Sequence, residues 1–178
     1  MSKIKILFSL IIIITSSYGS FTIPITETGI PFTLQSLAVF VVAAFMNYRE
    51  TLICLIAYLI LGAIGLPVFA NGSSGLSKLL GASGGFLFGF VIAGTFISIV
   101  IRKIGRDKLL PLIVLMVIAT IILFVFGLLQ LTIKLDGTKA IEYGLLPFWK
   151  MGLVKAVLAG GIVWGLSKLL SSFKSRSH

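Results

Sequence analysis

Lys155 is the residue whose type and position ask most of the rest of the chain. It stands one turn inside the last apolar segment, residues 152–170, and a lysine at the centre of a membrane helix costs ~2.5–3.5 kcal/mol on insertion scales, less near an end. Two chemistries offset that cost. The ammonium can snorkel to the outer headgroups beside Lys150, or it can fix an anionic ligand through a charge-assisted hydrogen bond to a carboxylate. Lys78 offers the same cation from a loop, where water competes for it. At the edges of other apolar segments stand Thr33, Gln35, Ser36, Tyr58 and Asn71. Each can serve its own fold or exchange hydrogen bonds with a ligand.

Covalent chemistry finds no complete set of groups in the sequence. Two G-x-S-G matches, Gly72-Ser73-Ser74-Gly75 and Gly81-Ala82-Ser83-Gly84, resemble the serine motif of rhomboid intramembrane proteases. A serine nucleophile needs a base within hydrogen-bond reach, and the only histidine is His178 at the end of the tail. An intramembrane serine protease is therefore a remote alternative. Cys54 stands alone in an apolar run, which gives neither a disulfide framework nor a metal cluster. No paired carboxylates or Asp-rich metal motif lies near the membrane. The chain also lacks a glycine-rich loop ending in Gly-Lys-Ser or Gly-Lys-Thr, so it cannot bind ATP in that manner.

The composition says what kind of element must hold these residues. Hydrophobic residues make up 58% of the 178 and charged ones 11%, with a mean hydropathy of +1.16. These values lie far outside the soluble globular range, so the chain is expected to be an all-α integral membrane protein of one domain, residues 1–178. Its formal charge of +10 would suggest nucleic acid in a soluble chain. Here the basic residues cluster in short breaks between apolar runs, the pattern of orientation signals and lipid headgroup contacts.

Apolar runs give spans at roughly 4–20, 32–46, 51–65, 84–101, 109–133 and 152–170. A run of about 15 residues covers only ~22 Å of a ~30 Å hydrocarbon core, so the second and third spans are short or sheltered in a bundle. Residues 1–20 read equally as a first span or as a cleaved signal peptide with small residues at Ser17 and Gly19. With six spans both termini fall on one side. Placing them in the cytoplasm puts Lys3, Lys5, Arg49, Arg102, Lys103, Arg106, Lys108, Lys168, Lys174 and Arg176 inside, and Lys78, Lys134, Lys139 and Lys150 outside, as the positive-inside rule asks. The outer connections, residues 21–31, 66–83 and 134–150, then hold nearly all of the loop glycine, proline, asparagine and serine. That suggests a receptor for something arriving from outside.

Between residues 57 and 90 two apolar segments flank a loop crowded with glycine and serine. Gly81, Gly85, Gly89 and Ala93 recur every fourth residue, one helical face that lets a neighbouring backbone approach closely. Gly161 and Gly165 repeat the spacing in the last span, and helix packing is the expectation for both sets.

The ordered motifs Pro31-Phe32-Thr33-Leu34-Gln35-Ser36-Leu37-Ala38-Val39, Tyr58-Leu59-Ile60-Leu61-Gly62-Ala63-Ile64-Gly65-Leu66-Pro67-Val68-Phe69-Ala70, Gly84-Gly85-Phe86-Leu87-Phe88-Gly89-Phe90, and Leu146-Pro147-Phe148 followed by Lys155-Ala156 carry a likeness that covers nearly the whole chain. It resembles the BioY family, the substrate-binding components of energy-coupling factor (ECF) biotin transporters. The resemblance implies a six-transmembrane-helix bundle of the ECF S-component type in the bacterial inner (cytoplasmic) membrane, with the first span retained. It implies biotin as transported ligand with no cofactor, and a coupling subunit and two cytoplasmic ATPases as partners. By the same likeness a ligand site would draw on Lys155, Asn71, Gln35, Thr33, Tyr58, Phe69, Phe86, Gly84 and Gly85. The ligand's apolar tail and ring would pack on Tyr58, Phe69, Phe86 and Phe148, and its carboxylate would meet Lys155. A related carboxylate-bearing vitamin or biotin precursor is the alternative ligand.

Three positions depart from the family pattern. Gly81-Ala82-Ser83-Gly84-Gly85-Phe86 stands where the family usually reads Gly-Pro-Thr-Gly-Gly-Tyr. Ser9, followed four residues later by Ile13, replaces an Ala-x-x-x-Ala face for the coupling subunit. Gly152 stands where an aspartate is usual, three residues before Lys155. Without that acid the cation and a ligand N–H each lose a partner, and Asn71, Gln35 and Glu142 are the candidates to compensate.

Overall fold

The computed structural model describes residues 2–22 and 31–176. The connection residues Pro24, Glu27 and Gly29, and the tail residue His178, lie outside these. In chain order the elements are helix α1 (Ser2–Tyr18), strands β1 (Ser20–Thr22) and β2 (Pro31–Thr33), helices α2 (Gln35–Phe45) and α3 (Tyr48–Ala63), a 3-10 turn (Ala70–Gly72), and helices α4 (Leu76–Leu79), α5 (Gly84–Ile104), α6 (Leu109–Lys134), α7 (Gly137–Gly144) and α8 (Trp149–Arg176). The protein is thus overwhelmingly helical. Its two short strands pair antiparallel with Phe21 opposite Phe32, which ties the two ends of the connection between α1 and α2 together.

Each of the six apolar runs folds as a helix. Three of them, α5, α6 and α8 through Phe173, are long and apolar enough to cross a membrane, while α2 is a shorter apolar helix. Their outer faces stay greasy. On α6 the exposed residues Leu110, Val114, Ile118, Ile121, Val125, Leu129 and Ile133 recur at three- and four-residue steps, a stripe suited to lipid rather than water.

Two connections are more ordered than their polar composition suggests. The break at residues 47–50 starts α3: Asn47 Oδ1 accepts from the Glu50 N–H at 2.9 Å, and Glu50 Oε2 accepts from the Asn47 N–H at 3.1 Å. This reciprocal capping box satisfies two of the donors that a helix start leaves open. Inside the connection at residues 134–150, Asp136 accepts from the Lys139 N–H at 2.9 Å and so begins α7.

The core runs through the whole bundle, from Ile13 of α1, Phe40 and Ala43 of α2 and Leu55 of α3 to Ile97 of α5, Met116 of α6 and Ala159 of α8, and the helices approach most extensively where α5 meets α6 and α6 meets α8. Gly85 lies against the Phe126 carbonyl and Gly127, and a methyl built on it would stand 2.7 Å from Gln130 Cβ. One turn on, a methyl on Gly89 would stand 3.0 Å from a Leu123 methyl and 3.2 Å from the Leu123 carbonyl oxygen. Of the expected small-residue face, Gly85 and Gly89 therefore meet the backbone of α6, whereas Gly81 precedes α5 and lies against the Ser77 carbonyl. On α8 the packing stripe differs from the expected one. Gly161 and Gly165 face open space, whereas a methyl on Gly160 would lie 2.9–3.1 Å from Ile113, and Ala156, Ala159 and Val163 are fully buried. Adjacent helical residues are turned by about 100°, and that one-residue offset decides which glycine is covered.

At the opposite end of the bundle from β2, Arg106 Nε donates to the Ala44 carbonyl at 2.8 Å and its guanidinium lies 5.2 Å from the Phe45 ring centroid. Ser167 Oγ donates to the Arg106 carbonyl at 3.0 Å. The basic break between α5 and α6 thereby ties α2 to α8.

Candidate functional site

At the end of the bundle that carries β2 and the connection at residues 66–83, a cavity opens between α2, α5, α6 and α8. The space between its walls, open mouth included, is about 670 Å³. Five phenylalanines, Phe69, Phe86, Phe90, Phe124 and Phe148, line it together with Ala70, Leu87 and Leu123. The polar lining is Thr33, Gln35, Ser36, Lys78, Ser83 and Lys155. Two of these side chains are cations, and no aspartate or glutamate lines the cavity among the described residues.

Long-range hydrogen bonds place the polar groups. Lys155 on α8 donates through Nζ to the Thr33 carbonyl at 3.2 Å, which holds the ammonium at the start of α2. Thr33 Oγ1 accepts from the Gln35 N–H at 3.2 Å. The Gln35 side chain donates through Nε2 to the Tyr58 hydroxyl, and both residues are buried. The Tyr58 ring in turn meets Phe69 edge to face, with centroids 5.5 Å apart at 76°. Ser36 Oγ is buried with no hydrogen-bond partner among the described residues while its residue lines the cavity. Burying a hydroxyl without a partner is costly, so a ligand group that exchanged a hydrogen bond with it would relieve that cost.

The glycine-rich connection is tied down on three sides. Tyr18 Oη donates to the Pro67 carbonyl at 2.7 Å, and the Gly75 N–H donates to the Gly62 carbonyl at 2.7 Å. Gln130 Nε2 donates to the carbonyls of Leu79 at 2.8 Å and Gly81 at 2.7 Å. Gly84 permits this last contact, because any side chain there would collide with the Leu79 carbonyl.

Of the residues read from the sequence as ligand contacts, Lys155, Gln35, Thr33, Phe69, Phe86 and Phe148 line the cavity. Tyr58 stands behind Gln35. Gly84 and Gly85 are buried against α6, and Asn71 is exposed at the 3-10 turn with φ 57°. Glu142 sits in a separate apolar depression beside Leu128, Leu129 and Ile141, so it does not stand in for the acid missing at 152. Ser83 lines the cavity, while Ser74 does not. The sequence reading missed Leu87, Phe90, Leu123 and Phe124. Phe90 repeats Phe86 one turn on and could have been found by that spacing, but Phe124 lies in a uniformly apolar run.

A family model described as the BioY family matches residues 2–172. The chain belongs to the BioY family. Within BioY it is 37% identical over 140 residues to "Biotin transporter BioY2" of Lactococcus lactis subsp. cremoris, covering 78% of this chain and 75% of that protein. It is 35% identical over 141 residues to "Biotin transporter BioY" of Thermotoga maritima, covering 79% and 82%. "Probable biotin transporter BioY" of Rickettsia prowazekii is 30% identical over 155 residues, covering 87% and 77%. A crystal structure of the S-component for biotin from an ECF-type ABC transporter superposes with a TM-score of 0.81 at 26% identity, covering 93% of this BioY chain and 92% of that one.

Proposed function

We propose that this BioY chain captures biotin outside the cell and delivers it across the membrane as the substrate-specific subunit of an ECF transporter. The observation that carries the reading is the cavity itself: an aromatic box with two lysines and no acid among its described lining residues. Apolar walls bind the fused rings and the tail by burial and dispersion. The ligand's carboxylate meets Lys155 through a charge-assisted hydrogen bond. Ser36 and Gln35 exchange hydrogen bonds with the neutral ureido head.

The working unit is a bundle of six spans with both termini in the cytoplasm of a bacterial inner membrane. Helices α1, α2 and α3 are the short spans, packed beside the three long ones. The charge distribution supports this orientation: Arg49, Arg102, Lys103, Arg106, Lys108 and Lys168 gather at the end away from the cavity. The partners are a transmembrane coupling subunit and cytoplasmic ATPases. Capture closes the outer connections over the ligand, and the energised partners then tip or squeeze the loaded subunit to release it inside.

Equilibrium binding of labelled biotin to the detergent-purified protein, repeated with Lys155→Ala, tests the reading. Truncating one partner of a buried charge pair costs about 2–5 kcal/mol, so affinity is expected to fall at least about thirtyfold. Equal binding by both proteins would remove Lys155 from the site. An unmodified protein that binds no biotin would sink the function.

A further inference from the structure

Three phenylalanine rings of the cavity wall each occupy the space that a side chain would take on a glycine of another element. Phe69 lies over Gly62 of α3, Phe86 over Gly127 of α6, and Phe124 over Gly152 of α8. The third seat is the least expected from the sequence. Glycine inside a helix is disfavoured relative to alanine, so a buried glycine at 152 asks for a packing reason. A methyl built there would stand 2.7 Å from Phe124 Cε2 and 3.2 Å from Thr120 Cγ2. Phe124 also meets Phe86 edge to face, with centroids 6.1 Å apart at 86°, so the two rings form one corner of the wall. Residues three apart on a helix share a face, which places this corner beside Lys155.

Resting on the biotin reading, we propose that Phe124 is a specificity-determining contact for the ligand's ring system and that Gly152 is its positioning residue. The seat draws the ring back between α6 and α8 and leaves its exposed part to the cavity. A side chain at 152 drives the ring forward into the space a fused ring system needs. The site thus reads its ligand by ring packing beside a cation, at the place where an acid at 152 would instead read polar hydrogens.

The test compares biotin with dethiobiotin, which keeps the carboxylate and the ureido group but lacks the second ring. Both are bound to the detergent-purified full chain as the unmodified protein, Phe124→Leu, Gly152→Ala and the double variant. Phe124→Leu is expected to weaken biotin about tenfold and dethiobiotin clearly less, so the ratio of the two affinities shrinks. Gly152→Ala weakens biotin at least as much, and the double variant returns to the level of Phe124→Leu because the shorter side chain makes room for the methyl. An unchanged ratio in Phe124→Leu, or effects that simply multiply in the double variant, would overturn the proposal. Should Gly152→Ala not fold, the ratio in Phe124→Leu decides alone. No biotin binding by the unmodified protein would sink the function and this proposal together, whereas binding with an unchanged ratio overturns only the proposal.

Discussion

Two glycine repeats with the same four-residue spacing have opposite surroundings. On α5, Gly85 and Gly89 lie against the backbone and side chains of α6, while on α8, Gly161 and Gly165 face nothing within 4 Å. The spacing guarantees only that such residues share one side of a helix. What stands opposite that side depends on how the helix is rotated in the bundle. On α5 the covered side continues into the cavity wall, since Phe86 and Phe90 follow the same four-residue step and both line the cavity. On α8 the covered side runs through Ala156, Ala159, Gly160 and Val163, and the repeat is left outside it.

The strongest way to break this contrast is Gly85→Ala. The added methyl meets the Phe126 carbonyl and Gly127 of α6, and neither is the flexible end of a side chain. Backbone must therefore move. Overpacking of this kind costs about 1–3 kcal/mol and occasionally more, so the thermal midpoint of the detergent-solubilised protein should fall by many degrees, and biotin binding should fall with it. A midpoint equal to that of the unmodified protein would show that α5 and α6 are not as close as described.

Gly89→Ala sharpens the comparison on the same helix. Its nearest neighbour is a Leu123 methyl at 3.0 Å, which can turn aside, although the Leu123 carbonyl at 3.2 Å cannot. A loss of about 1 kcal/mol is expected, at the low end for overpacking, read in the same thermal assay. Because Leu123 also lines the cavity, a small loss of biotin affinity should accompany it. A loss as large as that of Gly85→Ala would mean that Leu123 is held as firmly as backbone.

The same rotation problem explains which parts of the structure could be read in advance. Long apolar runs mark where six helices form, and three of these are long and apolar enough to cross a membrane, because a span demands continuous apolar helix. Motifs rich in proline, glycine and isolated polar residues mark where Thr33, Gln35, Phe69, Phe86 and Lys155 gather, since such residues at an apolar edge stand out. Within residues 109–133 almost every residue is apolar, and only Pro111, Thr120, Gly127, Gln130 and Thr132 break the pattern. Thr120 and Gly127 lie on the buried stripe, one turn before and nearly one turn after Phe124, yet they are too sparse to fix which phenylalanine faces the cavity. Polarity also misleads in the other direction. Asn47 and Glu50 look like a loop in composition and are a helix cap in space.

Gly165→Ala carries the smallest expected effect and tests the open side of α8. With nothing within 4 Å of the new methyl, no packing is lost, and alanine is favoured over glycine in an exposed helix interior by up to about 1 kcal/mol. The thermal midpoint of the isolated chain should stay level or rise slightly, and biotin binding should not change. A fall comparable to that of Gly89→Ala would mean that α8 is turned so that Gly165, and not Gly160, faces α6. The Phe124 seat on Gly152 would then be lost as well, because positions 152 and 160 keep a fixed angular relation on a continuous helix. The mildest substitution in the series therefore checks the rotation of α8 on which the cavity wall depends.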